Sequence, residues 1–466
     1  MDSQQLHYNT SLENFIDISA RSLVFLFRKL HIYDLFEKYA KDNRAKKCIY
    51  PIASLLMIAL QIVLFRSPSK NDFYQNKKLG KNYRNLGALA NIKEGIFPHS
   101  KTIDDAFLAL DSSSLEPILF DIFKHLHSSK LFNSSLKKNG IYRLAIDATC
   151  SRVYHKGSQH PCEACPFCLK RERKTKDGQT KVWYIHMEVV ANLIFENGFQ
   201  MPLYSHRIRK RKQWEYLGDE KLKQECEQTA LPFVLERIRS YLPRLKITVL
   251  LDGLHANQTT INLLKKFHFS WDIVLKRLKS VQEEIDSISS KVRLLANKRF
   301  NLTQTASFTN DIAYAGNIFT AIEFNEHSEK KPSKRFAKVI SKDVHYQWIV
   351  SEKVDESNVF NKAEESRSRW SQEDFFNTAK NRGFHLEHDY SRHPACQSIW
   401  HLLILIAFCL TSIFLLSDLG IKARKTATIR ALMKQMLQDL LYFSYEVIFS
   451  CPYPKNLRFS LWASAG

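Results

Sequence analysis

The alternation of apolar strands and helices between residues 140 and 275 most strongly limits the folds that this chain can adopt. Strand-like and helix-like segments follow one another there in the order strand, hairpin, helix, strand, helix, strand. The strands are predicted at 142–147, 182–194, 199–208, 246–251 and 271–275, and the helices at 222–241 and 257–267. Asn197-Gly198 predicts the hairpin turn, because Asn-Gly favours a tight turn between antiparallel strands. This order predicts a mixed α/β sheet with helices packed against it.

The segments on either side of this core predict further parts of the chain. Residues 1–138 carry apolar residues at helical spacing, so we expect a helical N-terminal domain, and such a domain in a basic protein often binds DNA. The first part of the α/β core is predicted at 139–282, and its last part, which carries the glutamate helix, is predicted at 361–400. A β-rich insertion is expected between them at 283–360, and a C-terminal helical region at 401–466.

One uncharged segment, residues 402–416, has the composition of a membrane anchor. Its fifteen residues would span about 22 Å as a helix, whereas the hydrocarbon core of a bilayer is roughly 30 Å thick. His401 and Asp418 bound the segment closely. These features favour a buried core helix over a membrane-anchored protein, so we expect no membrane partner.

The charge of the chain indicates its class of partner. The net charge is +22 and the isoelectric point is about 9.5, which favours a polyanion. Nucleic acid is the favoured polyanion, while an anionic membrane surface or an inert basic surface is the alternative. The segment MDSQQLHYNT at the start lacks the basic and apolar parts of a secretion signal, and the nine cysteines are mostly scattered. Together these features predict a cytoplasmic protein with reduced thiols.

Two aspartates directly follow apolar strand segments. Asp147 ends the segment YRLAID, and Asp252 follows KITVLL. In open α/β sheets ligand sites form where strands end, and two carboxylates there can hold a divalent metal such as Mg²⁺. The alternative for each aspartate is a structural role in a turn or as a cap.

A helix predicted at 368–380 places three charged residues on one face. Glu373 follows Arg369 by four residues, and Lys380 follows Glu373 by seven. These intervals stack side chains along a helix. Either this is a surface helix with an ordinary ion pair, or the carboxylate is a metal ligand and the two cations contact the DNA backbone.

In these residues the sequence resembles the DDE transposases of bacterial insertion sequences, in the large group with a Tyr-Arg-Glu-Lys signature. In that signature two residues separate Tyr from Arg, three separate Arg from Glu, and six separate Glu from Lys. Arg369, Glu373 and Lys380 match it, whereas Ser366 occupies the tyrosine position. Asp252-Gly253 and the β-rich insertion before the glutamate helix also resemble the family.

The resemblance implies an RNase H-like catalytic core in which Asp147, Asp252 and Glu373 bind Mg²⁺ or Mn²⁺. It implies an enzyme that cuts the ends of an insertion sequence and joins the 3′-hydroxyl to target DNA by two-metal phosphoryl transfer. The expected partners are the terminal inverted repeats, target DNA and a second copy of the chain, in the bacterial nucleoid. A nuclease without strand transfer and a catalytically inactive DNA-binding relic are the alternatives.

A cysteine-rich loop and a basic run after it are separate candidate sites. Cys162, Cys165 and Cys168 lie close together, with Cys150, His155 and His160 near them, so three thiolates and one further ligand could hold a structural Zn²⁺. The alternative is a loop of reduced, unligated thiols. The basic run is expected either to contact DNA or to be a solvated surface. It contains Arg207, Arg209, Lys210, Arg211 and Lys212.

Overall fold

The computed structural model describes residues 20–450 apart from short gaps. The gaps are at 46, 81–82, 94–95, 131, 133–139, 156, 176, 197, 212–218, 277–278, 288–292, 300–301, 315 and 331–339. Of the predicted site residues, Lys212 lies outside the described residues, and so do both ends of the chain. All other predicted site residues are described.

The described strands form one mixed sheet of ten strands. In chain order they are β1 (Tyr142–His155), β2 (Leu169–Lys174), β3 (Thr180–Ile194), β4 (Gln200–Arg207), β5 (Ile247–Leu251), β6 (Ser270–Val274), β7 (Arg293–Arg299), β8 (Leu302–Tyr314), β9 (Asn317–Lys330) and β10 (Ile340–Val350). Across the sheet their order is β2-β3-β1-β5-β6-β10-β9-β8-β7, and β4 also pairs with β3. β1 is antiparallel to β3 and parallel to β5, which is parallel to β6. The predicted mixed α/β sheet flanked by helices is therefore confirmed.

The described helices fall before, between and after the strands. The early ones are α1 (Ala20–Lys29), α2 (Ile32–Tyr39), α3 (Ile52–Leu64), α4 (Lys70–Leu79), α5 (Arg84–Leu89), α6 (Ser100–Leu108) and α7 (Pro117–Ser128). The later ones are α8 (Asp219–Tyr241), α9 (Gln258–Lys266), α10 (Lys279–Ser287), α11 (Val359–Arg367), α12 (Ser371–Asn381), α13 (Pro394–Leu416), α14 (Asp418–Thr426) and α15 (Ile429–Tyr442). Apolar side chains of the early helices, the central strands and α13 share one hydrophobic core.

The strands expected in the β-rich insertion extend the same sheet. β10 pairs antiparallel with β6, where Trp348 is level with Val274 and Val350 with Asp272. β9, β8 and β7 follow as antiparallel neighbours. A second hydrophobic cluster that includes Phe324 and Trp348 lies on this part of the sheet. The insertion is therefore continuous with the central strands, because β10 satisfies the free edge of β6.

Helix α13 lies in the protein interior. Among the described residues it is the one helix long and apolar enough to cross a membrane, yet 78% of its apolar window is buried within the protein. It packs on α3 and β4, and Phe408 meets Phe375 of α12 edge to face, with 4.7 Å between ring centroids. Residues 402–416 therefore belong to a core helix, which begins eight residues earlier than the uncharged segment, at Pro394. Proline fits the first turn of a helix because its missing N–H needs no partner there.

Candidate functional site

Asp147 and Asp252 lie side by side on neighbouring parallel strands, but Asp147 does not end its strand as predicted, because β1 continues from Tyr142 to His155. In the β1–β5 ladder Ala145 is level with Leu250. When this register is continued by two residues, Asp147 within β1 falls opposite Asp252, the residue directly after β5, on the same face of the sheet, because side chains alternate along a strand. Neighbouring strands are about 4.8 Å apart. The two predicted carboxylates therefore meet at one place, as their sequence positions indicate.

The Asp252 carboxylate also acts as a cap. Its Oδ1 accepts a hydrogen bond from the backbone N–H of Leu254 at 2.6 Å, at the start of the short 3-10 helix Gly253–His255. Its Oδ2 lies 3.7 Å from Lys276 Nζ. Burial raises the pKa of Asp252, but the Leu254 hydrogen bond and the charges of Lys276 and Arg369 outweigh burial and lower the pKa below its ordinary value. The carboxylate is therefore ionised at neutral pH.

Lys276 reaches Asp252 because residue 253 is a glycine. A Cβ atom on Gly253 would lie 2.7 Å from Cβ and 2.9 Å from Cδ of Lys276. The lysine side chain thus runs directly against the backbone of the glycine, and its ammonium group faces the carboxylate. The sequence analysis missed Lys276, because it follows β6 without a motif around it.

Arg369 connects the two aspartates to the glutamate helix. It lies in the 3-10 turn Ser368–Trp370, directly before α12. Its Nη1 is 3.8 Å from Asp147 Oδ2, and its Nη2 is 3.7 Å from Glu373 Oε1. Arg369 is buried, whereas the Glu373 side chain is 51% exposed. The guanidinium therefore lies between two of the predicted carboxylates and near enough to the third, Asp252, to lower its pKa.

Polar contacts to the sheet hold α11 and α12 in place. On α12, Gln372 donates from Nε2 to the carbonyl oxygen of Val190 at 3.2 Å, and Val190 is the β3 partner of Asp147. On α11, Ser366 is buried and donates its hydroxyl to Asp272 Oδ2 at 2.9 Å. Ser366, the residue at the tyrosine position of the signature, therefore attaches α11 to β6.

A buried ion cluster strengthens the attachment of α11. Lys362 Nζ lies 3.0 Å from Asp272 Oδ1 and 3.1 Å from Glu352 Oε2. Both Lys362 and Asp272 are buried. Burial lowers the pKa of Lys362, but the surrounding carboxylates outweigh burial and raise it above its ordinary value. Lys362 therefore stays charged and holds the segment that leads to Arg369.

The three predicted carboxylates do not form a closed metal site. In the described parts of the chain, the only group of three or more potential ligands whose atoms all lie within 4.8 Å of one another is a His/Cys group. The Arg369 guanidinium lies between Asp147 and Glu373 instead. The donors themselves fit Mg²⁺ or Mn²⁺, which prefer carboxylate oxygens. The Glu373 side chain, by contrast, is half-exposed.

Four of the other predicted DNA contacts, Lys380, Arg209, Lys210 and Arg211, lie at or near the surface. Lys380 pairs with Glu387 at 3.0 Å between Nζ and Oε1. Arg209, Lys210 and Arg211 are exposed. Lys210 donates from Nζ to a backbone carbonyl of the cysteine-rich loop at 2.5 Å. The basic run thus packs along that loop while leaving cationic groups at the surface.

Arg207, the first residue of the basic run, points into the protein. Its side chain is 9% exposed, and its Nε lies 3.3 Å from Oε1 of the buried Glu188. Its guanidinium donates to Gln397 Oε1 at 2.8 Å and to Ser398 Oγ at 2.9 Å. This position between β4 and α13 differs from the exposed one expected of a DNA contact.

The cysteine-rich loop brings together a ligand set that differs from the predicted one. The ligand atoms of His160, Cys165, Cys168 and His186 all lie within 4.8 Å of one another, and all four residues are buried. Cys162 does not belong to this group. His186 lies on β3, and the sequence analysis missed it because a single histidine in a strand carries no motif. Burial lowers the pKa of His186 to about 4, so its imidazole is neutral at pH 7.

No protein-family model matches the chain, and no curated protein matches it. Two arrangements of side chains remain as starting points for function. One is the group of carboxylates and cations around Asp147 of β1 and Asp252 after β5, and the other is the buried His/Cys group.

Proposed function

We propose that this chain is a DNA transposase of the DDE type, which cuts the ends of an insertion sequence and joins the 3′-hydroxyl to target DNA. The observation that carries the proposal is the meeting of Asp147 and Asp252 on adjacent strands with Arg369 and Glu373 beside them. Three distant segments of the sequence thus bring the acidic triad and a cation to one place. A capping role alone accounts for Asp252 but not for the position of Glu373.

The order of the central strands supports an RNase H-like core. β4, β3, β1, β5 and β6 are successive neighbours. β3 is antiparallel to β1 and β4, whereas β5 and β6 run parallel to β1. A core of this kind needs two carboxylates side by side on adjacent central strands and a third on a helix that follows the sheet, and Asp147 within β1, Asp252 directly after β5 and Glu373 on α12 suit such a core.

Each group in the site has a separate task in this proposal. Asp147, Asp252 and Glu373 would hold Mg²⁺ or Mn²⁺, which supplies activation of the attacking hydroxyl and neutralisation of phosphate charge. Arg369 and Lys276 place two cations beside the carboxylates, where they attract a phosphate of the DNA backbone. The strands fix both aspartates, whereas the exposed Glu373 side chain can adjust to the substrate.

The charge distribution supports DNA as the partner. The chain carries a net charge of +22. A cavity of about 450 Å³ at the β1–β2–β3 hairpins is lined by Arg173, Lys174, Lys181 and Trp183, among others. Cations attract the phosphate backbone, and an aromatic ring offers a face for base stacking. In this proposal the chain binds terminal inverted repeats and target DNA as a homodimer associated with the nucleoid.

A cleavage and joining assay tests the proposal. The purified full chain is incubated with labelled DNA that carries the sequences flanking its own gene, with and without Mg²⁺. Glu373→Gln is compared with Asp374→Asn, a matched control at an exposed acidic neighbour on the same helix. We expect metal-dependent cutting at one defined end followed by joining, abolished in Glu373→Gln and retained in Asp374→Asn.

The other outcomes of this assay favour different functions. Cutting without joining would identify a nuclease. Tight binding without cutting at any metal concentration would identify a catalytically inactive DNA-binding relic. Normal cutting by Glu373→Gln would remove that residue from the metal site.

A further inference from the structure

We propose that His160, Cys165, Cys168 and His186 form a structural Zn²⁺ site, independent of the transposition chemistry proposed above. Two thiolates and two imidazoles are a ligand set that zinc prefers, and Mg²⁺ does not. All four residues are buried. Four protein ligands leave no open position for a substrate, which is typical of structural rather than catalytic zinc.

The distances between the ligand atoms suit a tetrahedral ion. With Zn–S of about 2.3 Å and Zn–N of about 2.0 Å, ligand atoms around tetrahedral zinc are roughly 3.3–3.8 Å apart. His186 Nε2 lies 3.5 Å from Cys165 Sγ and 3.0 Å from Cys168 Sγ. All four ligand atoms lie within 4.8 Å of one another. Side-chain shifts of under about 1 Å therefore bring the set to zinc geometry.

The hydrogen bonding of His160 independently indicates that this histidine is a metal ligand. Its Nδ1 donates to the carbonyl oxygen of Arg392 at 2.7 Å, so in the neutral ring Nε2 carries the lone pair. His160 is 5% exposed, and its Nε2 has no hydrogen-bond partner among the described residues. A buried nitrogen without a partner is unfavourable unless something binds it. Histidine ligands commonly donate the other ring N–H to a carbonyl in this way.

Metal binding by His186 requires a change in the protonation of its ring. Arg207 Nη2 lies 2.7 Å from His186 Nδ1, and a guanidinium can only donate. The ring hydrogen is therefore on Nε2, directed at Cys168 Sγ. For Nε2 to bind zinc, its proton must leave that nitrogen. Either the proton passes to solvent and Arg207 balances the charge of the resulting imidazolate, or the proton moves to Nδ1 and Arg207 no longer donates to the ring. Apart from His186, Arg207 also donates to Gln397 and pairs with Glu188.

The ion would fasten the cysteine-rich loop to the sheet. His160, Cys165 and Cys168 lie in the loop between β1 and β2, whereas His186 lies on β3. The Arg392 carbonyl extends the link to the segment just before α13. Metal binding would thus hold the β1–β3 hairpin, whose outer part carries the basic cavity, against the core.

Metal analysis of the full chain tests the site. The protein is expressed with zinc in the medium, its affinity tag is removed, and bound metal is measured by inductively coupled plasma mass spectrometry. We expect one zinc per chain and, after exchange, a tetrahedral cobalt spectrum with thiolate-to-cobalt charge transfer. Cys168→Ser and His160→Asn should lose the metal, whereas Cys162→Ser, the matched control in the same loop, should keep it.

The wild-type protein keeps the test informative if a ligand variant fails to fold. Removal of zinc by a chelator should lower the melting temperature, and Zn²⁺ but not Mg²⁺ should restore it. Wild-type protein without zinc and without a cobalt spectrum would overturn the proposal. Loss of metal in Cys162→Ser with retention in His160→Asn would overturn this ligand set in favour of three thiolates.

Discussion

Replacing Arg369 with methionine removes the cation between Asp147 and Glu373 and keeps a long side chain. For unit charges 3.8 Å apart, the Arg369–Asp147 separation, Coulomb's law gives about 4 kcal/mol at an effective dielectric constant of 20 and about 1 kcal/mol in water. Both side chains are mostly buried, at 9% and 12% exposed, whereas the half-exposed Glu373 pair adds at most about 1 kcal/mol. We therefore expect the free energy of unfolding to fall by about 2–3 kcal/mol without metal.

Urea denaturation with and without Mg²⁺ measures this effect. Because the variant leaves the carboxylates without their cation, Mg²⁺ should bind it more tightly than it binds the wild type. At a hundred times the dissociation constant, bound Mg²⁺ adds about 2.7 kcal/mol of stability, enough to offset the loss. Arg367→Met is the control, because Arg367 pairs with Glu326 nearer the surface and should lose under about 1 kcal/mol without metal dependence.

Two results would refute this reasoning about Arg369. One is an equal loss of stability with and without Mg²⁺. The other is a loss in Arg369→Met no larger than the loss in Arg367→Met. Either result would mean that the guanidinium does not compensate the charge of the predicted metal ligands.

Three further predictions concern the supports of the site. Gly253→Ala should lower stability by roughly 1–3 kcal/mol in urea denaturation, because the new Cβ would overlap the Lys276 side chain; unchanged stability would contradict this packing. Lys362→Met should lower it by about 3–5 kcal/mol, because it leaves the buried Asp272 charge unpaired; the double variant with Asp272→Asn should recover part of the loss. Since the pKa of Asp252 is lowered in the folded protein, its carboxylate stabilises the fold above its unfolded pKa near 3.9 and loses this effect as the pH falls. The stability difference between wild type and Asp252→Asn should therefore shrink from pH 7 to pH 3, and a constant difference would contradict the lowered pKa.

The sequence was sufficient to place Asp252 directly after its strand, because an apolar run ends there and a strand buried on both faces is such a run. It placed Asp147 at a strand end as well, but β1 continues to His155, because the pairing of β1 with β3 extends beyond the apolar run. Glu373 follows Arg369 at helical spacing, and both lie at the predicted helix. Their meeting in space could not be read from spacing, because it depends on the parallel pairing of β1 with β5 across about a hundred residues.

The sequence was less informative where a residue's partner lies far along the chain. Arg207 belongs to a basic run and was expected at the surface, yet Glu188 on β3 and α13 together bury it. Three cysteines in a short loop suggested a site of three thiolates, but the fold brings His186 from β3 in place of Cys162. Tertiary contacts determine such partners, and the local periodicity of the sequence does not reveal those contacts.

The most direct test of the central claim is a change of the metal ligand itself. Asp252→Cys puts a softer thiolate where the carboxylate stands, and thiolates suit Mg²⁺ poorly. If Asp252 holds the catalytic metal, DNA cleavage by this variant should be lost in Mg²⁺ and recover at least in part in Mn²⁺, whereas the wild type should cut in both. Cleavage by Asp252→Cys in Mg²⁺ at the wild-type rate would show that Asp252 is only the cap of the turn after β5, and the proposed site would be wrong.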